Sequence, residues 1–548
     1  MKLRHALGAT CVIVSLVGCG GGGGGGGNDG GANNGQPSPG GTPPTGTLAS
    51  VDIALTTPPI LETLPLGYIN TVTVEGTWTG RNLGNGAVYV KVTDDAGATT
   101  YKMPAPQAAP GGTFQILLEV PASHSVVERS GTLSFTACGD ANCATPYTGV
   151  AGKLDYRVLF SDIGEWETMG RDGTHRSYVP ITIDPTRIEE AWEWTFPKDA
   201  AARQAMLTRP ATIVGTVFVT GFNLTNDRSQ YGHTLFALDE ATGKVKWSFP
   251  VEGHALAPGA ARGRVVQPAL DSSAMLTVLD AALGKKRFTH GQSTANASTL
   301  VPSFYDRKAF FMGGDTGNEI RSIDLHTGAL DWSRPRIGMQ TTTLAVDGAH
   351  VYYHTGSELE ILDRGFGSRY ALITDPASDG AFVPGPTAPM LGSQGNVIVR
   401  SWHGATHTAK LTSFDIASRQ WAWSTVDSYT TPLAVGKDMV YAYREAISMP
   451  LVHAIDESTG NVMWNWIPPA PSQTNVAGNL VATDNLLFAS TSGAYSAWTW
   501  AIDLSTRQVV WQYPASGYVV ISANRMMYLL ADKPNLGTPE KIVAFRLR

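Results

Sequence analysis

The sequence predicts an all-β protein: an eight-bladed β-propeller preceded by a β-sandwich. Three observations predict it. A unit running from aspartate through a turn to tryptophan recurs along residues 161–548. Residues 49–160 break into short alternating runs separated by Gly, Pro and Asp turns. The composition, with 60 Gly and 14 Trp in 548 residues, suits strands and turns.

In chain order, Met1-Lys2-Leu3-Arg4-His5 is a short basic start, and Ala6 to Val17 is mostly apolar. That run is too short to span a bilayer and reads as a signal peptide over residues 1–18. Leu16-Val17-Gly18-Cys19 resembles the lipobox of bacterial lipoproteins. The resemblance implies cleavage before Cys19 and acylation of that cysteine, so that the membrane is held through several acyl chains. Gly20 stands where an aspartate would resemble an inner-membrane retention signal, which points to the outer membrane, on its periplasmic side or at the cell surface. Residues 19–48 carry eight consecutive glycines, Gly20 to Gly27, and then mostly Gly, Asn, Pro, Ser and Thr. Such a segment cannot bury a core and reads as a tether.

The net charge of −6 and the lack of any Lys/Arg block argue against a nucleic-acid partner. Cys11 leaves with the signal peptide and Cys19 is the lipid site, which leaves Cys138 and Cys143 of the four cysteines. They flank a turn in an exported protein, where a small disulfide is expected; a metal site would need ligands that are not nearby.

Within residues 49–160, the runs Asn70–Glu75, Ala87–Val92, Phe114–Val120, Gly131–Ala137 and Lys153–Phe160 carry sandwich patterning. The stretch from Gly131 to Phe160 resembles the end of an immunoglobulin-like domain of bacterial surface proteins. Its expected role is that of a rigid spacer.

The repeat fills residues 161–548. Ala237-Leu238-Asp239 through Gly243 to Trp247 recurs as Ser322-Ile323-Asp324 to Trp332, Ala454-Ile455-Asp456 to Trp464 and Ala501-Ile502-Asp503 to Trp511. Weaker copies run from Asp415 to Trp423, from Asp280 to Phe288 and from Asp184 to Trp192; Asp363 keeps Gly367 but has Ala371 at the aromatic position. The eight aspartates lie 39 to 55 residues apart, the length of a four-stranded blade. Each aspartate is expected to cap a turn in which glycine supplies positive φ, and each aromatic to be buried against the next blade. The last strand, Ile542 to Leu547, lacks a tryptophan strand after it, and Ala191 to Phe196 lacks a strand before it. Joining the two closes the ring and leaves no free sheet edge.

These units resemble the tryptophan-docking repeats of the PQQ-like β-propeller superfamily, and Trp166-Glu167-Thr168-Met169-Gly170-Arg171-Asp172-Gly173 resembles the start of such propellers. The superfamily holds quinone-dependent dehydrogenases as well as non-catalytic scaffolds, so fold alone does not choose. The propeller has no cysteine, which removes the adjacent-cysteine disulfide and the CxxCH haem site of the dehydrogenases. No GxSxG, Walker loop or HExxH is present; His403 and His407 have the i, i+4 spacing but lie in a strand-rich segment. His233, His254 and His354 read as satisfied or solvent-facing groups at blade edges. No catalytic, metal or cofactor residue is assigned, and no cofactor is expected, PQQ included. The reading taken is a non-catalytic envelope lipoprotein with a protein partner, resembling the BamB-like lipoproteins of outer-membrane barrel assembly. The chain departs from that family in its tether and its added N-terminal β-domain. The alternative is a quinone-dependent oxidoreductase, or a surface protein that binds carbohydrate or another ligand in the propeller funnel.

Overall fold

The computed structural model describes residues 48–547 apart from 67–68, 85, 102–110, 124, 228, 271–274, 292–300, 314–318, 338–342, 379–387, 405–407, 446–449, 470–472, 494–495 and 533–538. The signal peptide, Cys19 and the tether as far as residue 47 lie outside the described residues. By its contacts the chain divides between Leu48 and Ala49, and Ala49–Arg548 forms one compact unit. Among the described residues no helix is long and apolar enough to cross a membrane.

Residues 50–161 form two facing four-stranded sheets. One orders the strands Ser50–Leu55, Asn70–Arg81, Gly111–Val120 and Thr100–Tyr101; the other orders Ile60–Pro65, Gly152–Ser161, Val127–Cys138 and Tyr89–Asp94. Alternation sends every second residue inward, and Val74, Trp78, Phe114, Leu133, Phe135 and Phe160 fill the space between the sheets. Cys138 ends its strand, and the loop beyond it is built on Asp140, whose carboxylate accepts from the backbone of Asn142, Ala144 and Thr145. That turn brings Cys143 back to form a disulfide with Cys138.

The remaining strands form antiparallel meanders, each with an inner, two middle and an outer strand. Taken in order, the outer strands are Val245–Pro250, Lys286–His290, Leu330–Pro335, Arg369–Thr374, Gln420–Gly436, Val462–Trp466, Val509–Tyr513 and Glu189–Thr195, and we number their blades 1 to 8. Gln420–Gly436 runs on to become the inner strand of blade 6. Blade 8 takes three strands from residues 516–546 and its fourth from Glu189–Thr195, with Ala544 opposite Trp192. The two ends of the propeller segment therefore share one sheet.

The repeat has one packing logic. In seven of the eight outer ladders an aromatic faces a small residue or Val, as in Ala237 opposite Trp247 and Ser322 opposite Trp332, and a register shift follows at the next residue. The aromatic then lies on the turn of the following blade. Indole Nε1 of Trp192, Trp247, Trp332 and Trp423 donates to the carbonyls of Glu240, Ala281, Arg364 and Glu457 at 2.8–3.0 Å, in each case the residue after that blade's aspartate. Their rings, with that of Phe288, cover Gly243, Gly284, Gly367, Gly460 and Gly328, where an added Cβ would sit 2.5–2.7 Å from the ring. Glycine is needed there twice over, for positive φ and for the absence of a side chain. Trp332 and Trp423 are buried, whereas Trp192, Trp247, Phe288, Trp464 and Trp511 are only partly so and keep one edge at the rim.

Two copies depart from the pattern. Blade 4 has Ala371 where the aromatic falls, and the next turn carries Arg419 in place of glycine; its guanidinium sits 4.4 Å over the Tyr370 ring. Arg507 likewise replaces glycine and meets Trp464 at 5.7 Å. Both arginines keep the positive φ that glycine has in the other turns. Trp511 packs on Phe545 of the closing blade instead.

Candidate functional site

In a four-stranded meander, alternate connections share an end, so the hairpin turns after inner strands and the aspartate turns lie at one end of the ring. The remaining loops lie at the other. Seven of the eight aspartates accept hydrogen bonds within the turns that follow their strands. Asp239, Asp324, Asp456 and Asp503 accept from the backbone N–H three residues on at 2.8–3.1 Å, and Asp280, Asp363 and Asp415 do the same at Leu283, Phe366 and Ser418. The hydrogen bonds they accept hold the carboxyls of Asp415, Asp456 and Asp503 below the usual range. Asp184 differs: it caps a short 3-10 turn through Thr186, because the strand that would precede it comes from the C-terminus.

The aspartate-turn end is sealed. Residues 161–183 lie across it and bond to every blade. Ser161 Oγ donates to Ala523 O of blade 8, Thr212 N of blade 1 donates to Trp166 O, and Ala260 N of blade 2 to Glu167 O. Thr168 Oγ1 donates to Pro302 O before the inner strand of blade 3, Val346 N of blade 4 to Gly173 O, and Leu391 N of blade 5 to Thr174 O. Val435 N of blade 6 donates to Arg176 O and Ala482 N of blade 7 to Ser177 O. One strap thus visits the blades in ring order and occupies the inner-strand backbone sites at this end.

The sandwich docks onto the same end. Arg262, in the inner hairpin turn of blade 2, pairs with Glu62 of the sandwich at 2.9 Å, and at the start of the strap Asp162 pairs with Arg525 of blade 8 at 3.1 Å. Glu165 is the junction: its carboxylate accepts from Thr63 of the sandwich, from Thr212 and the Val214 N–H of blade 1, each at 2.9 Å, and from Ala523 N of blade 8 at 3.4 Å. Burial and the nearby charge of Glu240 raise its pKa, against those hydrogen bonds. Glu240 ties the turn of blade 1 to blade 8 through Ser522, Asn524 and Tyr528. Burial also pushes Glu167 up to about 8 and holds His175 down at about 4.

Among the described residues, no segment like the strap crosses the opposite end. There the channel floor is formed by Met169 and Gly170 of the strap with Pro210, Pro258 and Pro432. Beside it, between blades 8, 1 and 2, is a cavity of about 600 Å3 with mainly apolar walls. Arg209 belongs to both spaces; its guanidinium donates to the Tyr518 hydroxyl at 2.6 Å and stacks on that ring at 4.4 Å.

The structure separates the histidines, which the sequence left as satisfied or solvent-facing. His233 and His354 are buried, and burial holds both near 4; only His254 is exposed, at the cavity edge. His403 ends the strand Asn396–His403, buried, with Nε2 3.4 Å from the buried Asp375 carboxylate, and His407 lies outside the described residues. Among the described residues no three His, Cys, Asp or Glu side chains converge as a metal site would require. Sequence reasoning missed the strap, Glu165 and Arg209, none of which belongs to the repeated unit. One signal was present for the inner end: a proline stands directly before the inner strand of blades 1, 2, 3 and 5, at Pro210, Pro258, Pro302 and Pro389.

Ring closure, aspartate turns and aromatic-on-glycine docking define a β-propeller of tryptophan-docking repeats. Residues 183–425 and 377–547 match the family described as outer membrane protein assembly factor BamB, and the chain belongs to that family. A search of the curated proteins returns no match. Among solved structures, BamB from Moraxella catarrhalis is 14% identical with a TM-score of 0.44, over 66% of this chain and 97% of that one. Quinohemoprotein alcohol dehydrogenase from Comamonas testosteroni is 13% identical with a TM-score of 0.45, over 70% and 80%. The dihydro-heme d1 dehydrogenase NirN is 11% identical with a TM-score of 0.40, over 62% and 81%.

Proposed function

We propose that the protein is a non-catalytic envelope lipoprotein, anchored through Cys19 in the outer membrane, whose propeller is a scaffold for protein partners in outer-membrane protein assembly. The observation that carries this reading is the family match over nearly the whole propeller. The geometry supports it: the strap and sandwich occupy one end, so the loops of the open end are the face left for a partner. The reading takes the propeller to work without a redox cofactor. In support, the propeller has no cysteine, and its turn aspartates are engaged by their own turns. The sandwich and tether then serve to hold that face away from the lipid surface.

The test is affinity capture of the tagged full chain after mild crosslinking in intact cells, beside a Cys19→Ser variant. The proposal expects the wild type in the membrane fraction with barrel-assembly components or nascent outer-membrane proteins, and the variant released from the membrane. Capture without any such component would sink the assembly role, and an unchanged membrane fraction for Cys19→Ser would sink the anchor.

A further inference from the structure

The open-end cavity carries an inference that goes beyond scaffolding. Met206, Phe222, Leu256, Leu270 and Leu530 contribute apolar surface to it, and Arg209 and Tyr518 stand together in its lining. Most arginines that the structure places in polar clusters are paired with carboxylates, as Arg334 and Arg369 are with Glu360 and Arg287 with Asp280. Arg209 is not: among the described residues no carboxylate lies within 4 Å, and its one acceptor is the neutral hydroxyl of Tyr518. A guanidinium offers five donors, and this one spends few of them. The Tyr518 oxygen accepts from Arg209, which leaves the hydroxyl's own proton to be donated elsewhere. The ring beneath the guanidinium fixes its plane. Two donors, one of them charged, are thus held side by side in an apolar hollow, an arrangement complementary to a carboxylate. The volume, about 600 Å3, is that of a small-molecule site.

We propose that this cavity binds a small apolar molecule bearing a single carboxylate, held by Arg209 and Tyr518, with Met206, Leu256, Leu270 and Leu530 covering its apolar body. A carboxylate at the end of a peptide chain has the same chemistry, and the experiment separates the two sources.

The test is calorimetric titration of the full-length chain with 4-phenylbutyrate, with its uncharged amide 4-phenylbutanamide, and with a short acetylated peptide ending in Leu with a free carboxylate. The proposal expects 4-phenylbutyrate to bind and the amide to bind about tenfold more weakly or worse, the loss that goes with a charged hydrogen bond. Arg209→Met should bring the acid down to the level of the amide and leave the amide unchanged, Arg209→Lys should recover part of the difference, and Met206→Trp, which fills the hollow, should remove both. Equal binding of acid and amide would overturn the proposal, as would an acid affinity untouched by Arg209→Met or no saturation with either probe. Tighter binding of the peptide than of 4-phenylbutyrate would overturn the assignment to a small molecule. Should Arg209→Met fail to fold, the acid-to-amide ratio on the wild type and the Met206→Trp arm decide the question.

Discussion

Replacing Gly367 by alanine tests the blade-docking logic at one atom. Gly367 has φ +68°, and a Cβ there would stand 2.5 Å from Cε3 and 2.6 Å from Cδ2 of Trp332, itself buried and hydrogen-bonded to Arg364 O at 3.0 Å. Left-handed backbone costs alanine roughly 1–2 kcal/mol, and forcing an extra carbon into a packed contact adds about 1–3 kcal/mol. The expected loss is therefore about 2–5 kcal/mol. Gly395 supplies the control: its φ is +82° and nothing lies within 4 Å of its missing Cβ, so Gly395→Ala should show the backbone cost of roughly 1–2 kcal/mol alone. Urea unfolding followed by tryptophan fluorescence and circular dichroism measures both variants against wild type. The contact is isolated by repeating Gly367→Ala in a Trp332→Ala background. That background costs about 3–5 kcal/mol by itself, and within it the alanine should cost no more than at Gly395. An equal cost of Gly367→Ala with and without the indole would refute the docking account.

Further outcomes follow from the buried groups. Glu167 ionises near 8 when folded and near 4.5 when unfolded, so its contribution is fully present below pH 4.5 and is lost as pH rises toward 8; Glu167→Gln should raise stability at pH 8 by about 2–4 kcal/mol and leave it unchanged near pH 4, read from melting temperature against pH. His175, His233, His326 and His354 run the other way: each is held near 4 by burial, so stability should fall as pH drops from 6.5 toward 4, and His175→Gln should flatten part of that slope. The Cys138–Cys143 link closes only a short loop, so replacing both cysteines by serine should cost the sandwich about 2 kcal/mol and leave the propeller transition in place, as seen by calorimetry.

What the sequence showed plainly was what repeats. The aspartate turns and indoles recur because each blade solves one packing problem, so seven outer strands after aspartate turns and the closing strand from residue 189 were all legible. Even the exceptions leave a trace: Arg419 and Arg507 stand where other copies have glycine, and each carries its guanidinium over an aromatic ring, that of Tyr370 and that of Trp464. The strap was not legible because it binds through backbone groups, which any sequence offers, and its partners lie up to several hundred residues away. Glu165 reads in sequence as one acidic residue among many until Thr63, Thr212 and Ala523 converge on it. Arg209 and Tyr518 lie 309 residues apart and meet only because the ring closes. The histidines were left open between satisfied and solvent-facing places, and the structure buries His233 and His354 on strands whose middle positions are covered on both faces.

The measurement that reaches the central claim most directly is site-specific photocrosslinking of the full-length lipoprotein in living cells, with a photoreactive phenylalanine at Gln230 on the open end or at Lys285 in an aspartate turn. Both positions are exposed. The account predicts adducts with components of outer-membrane protein assembly from Gln230 and none from Lys285. Adducts from Lys285 alone, or none from either position, would contradict it.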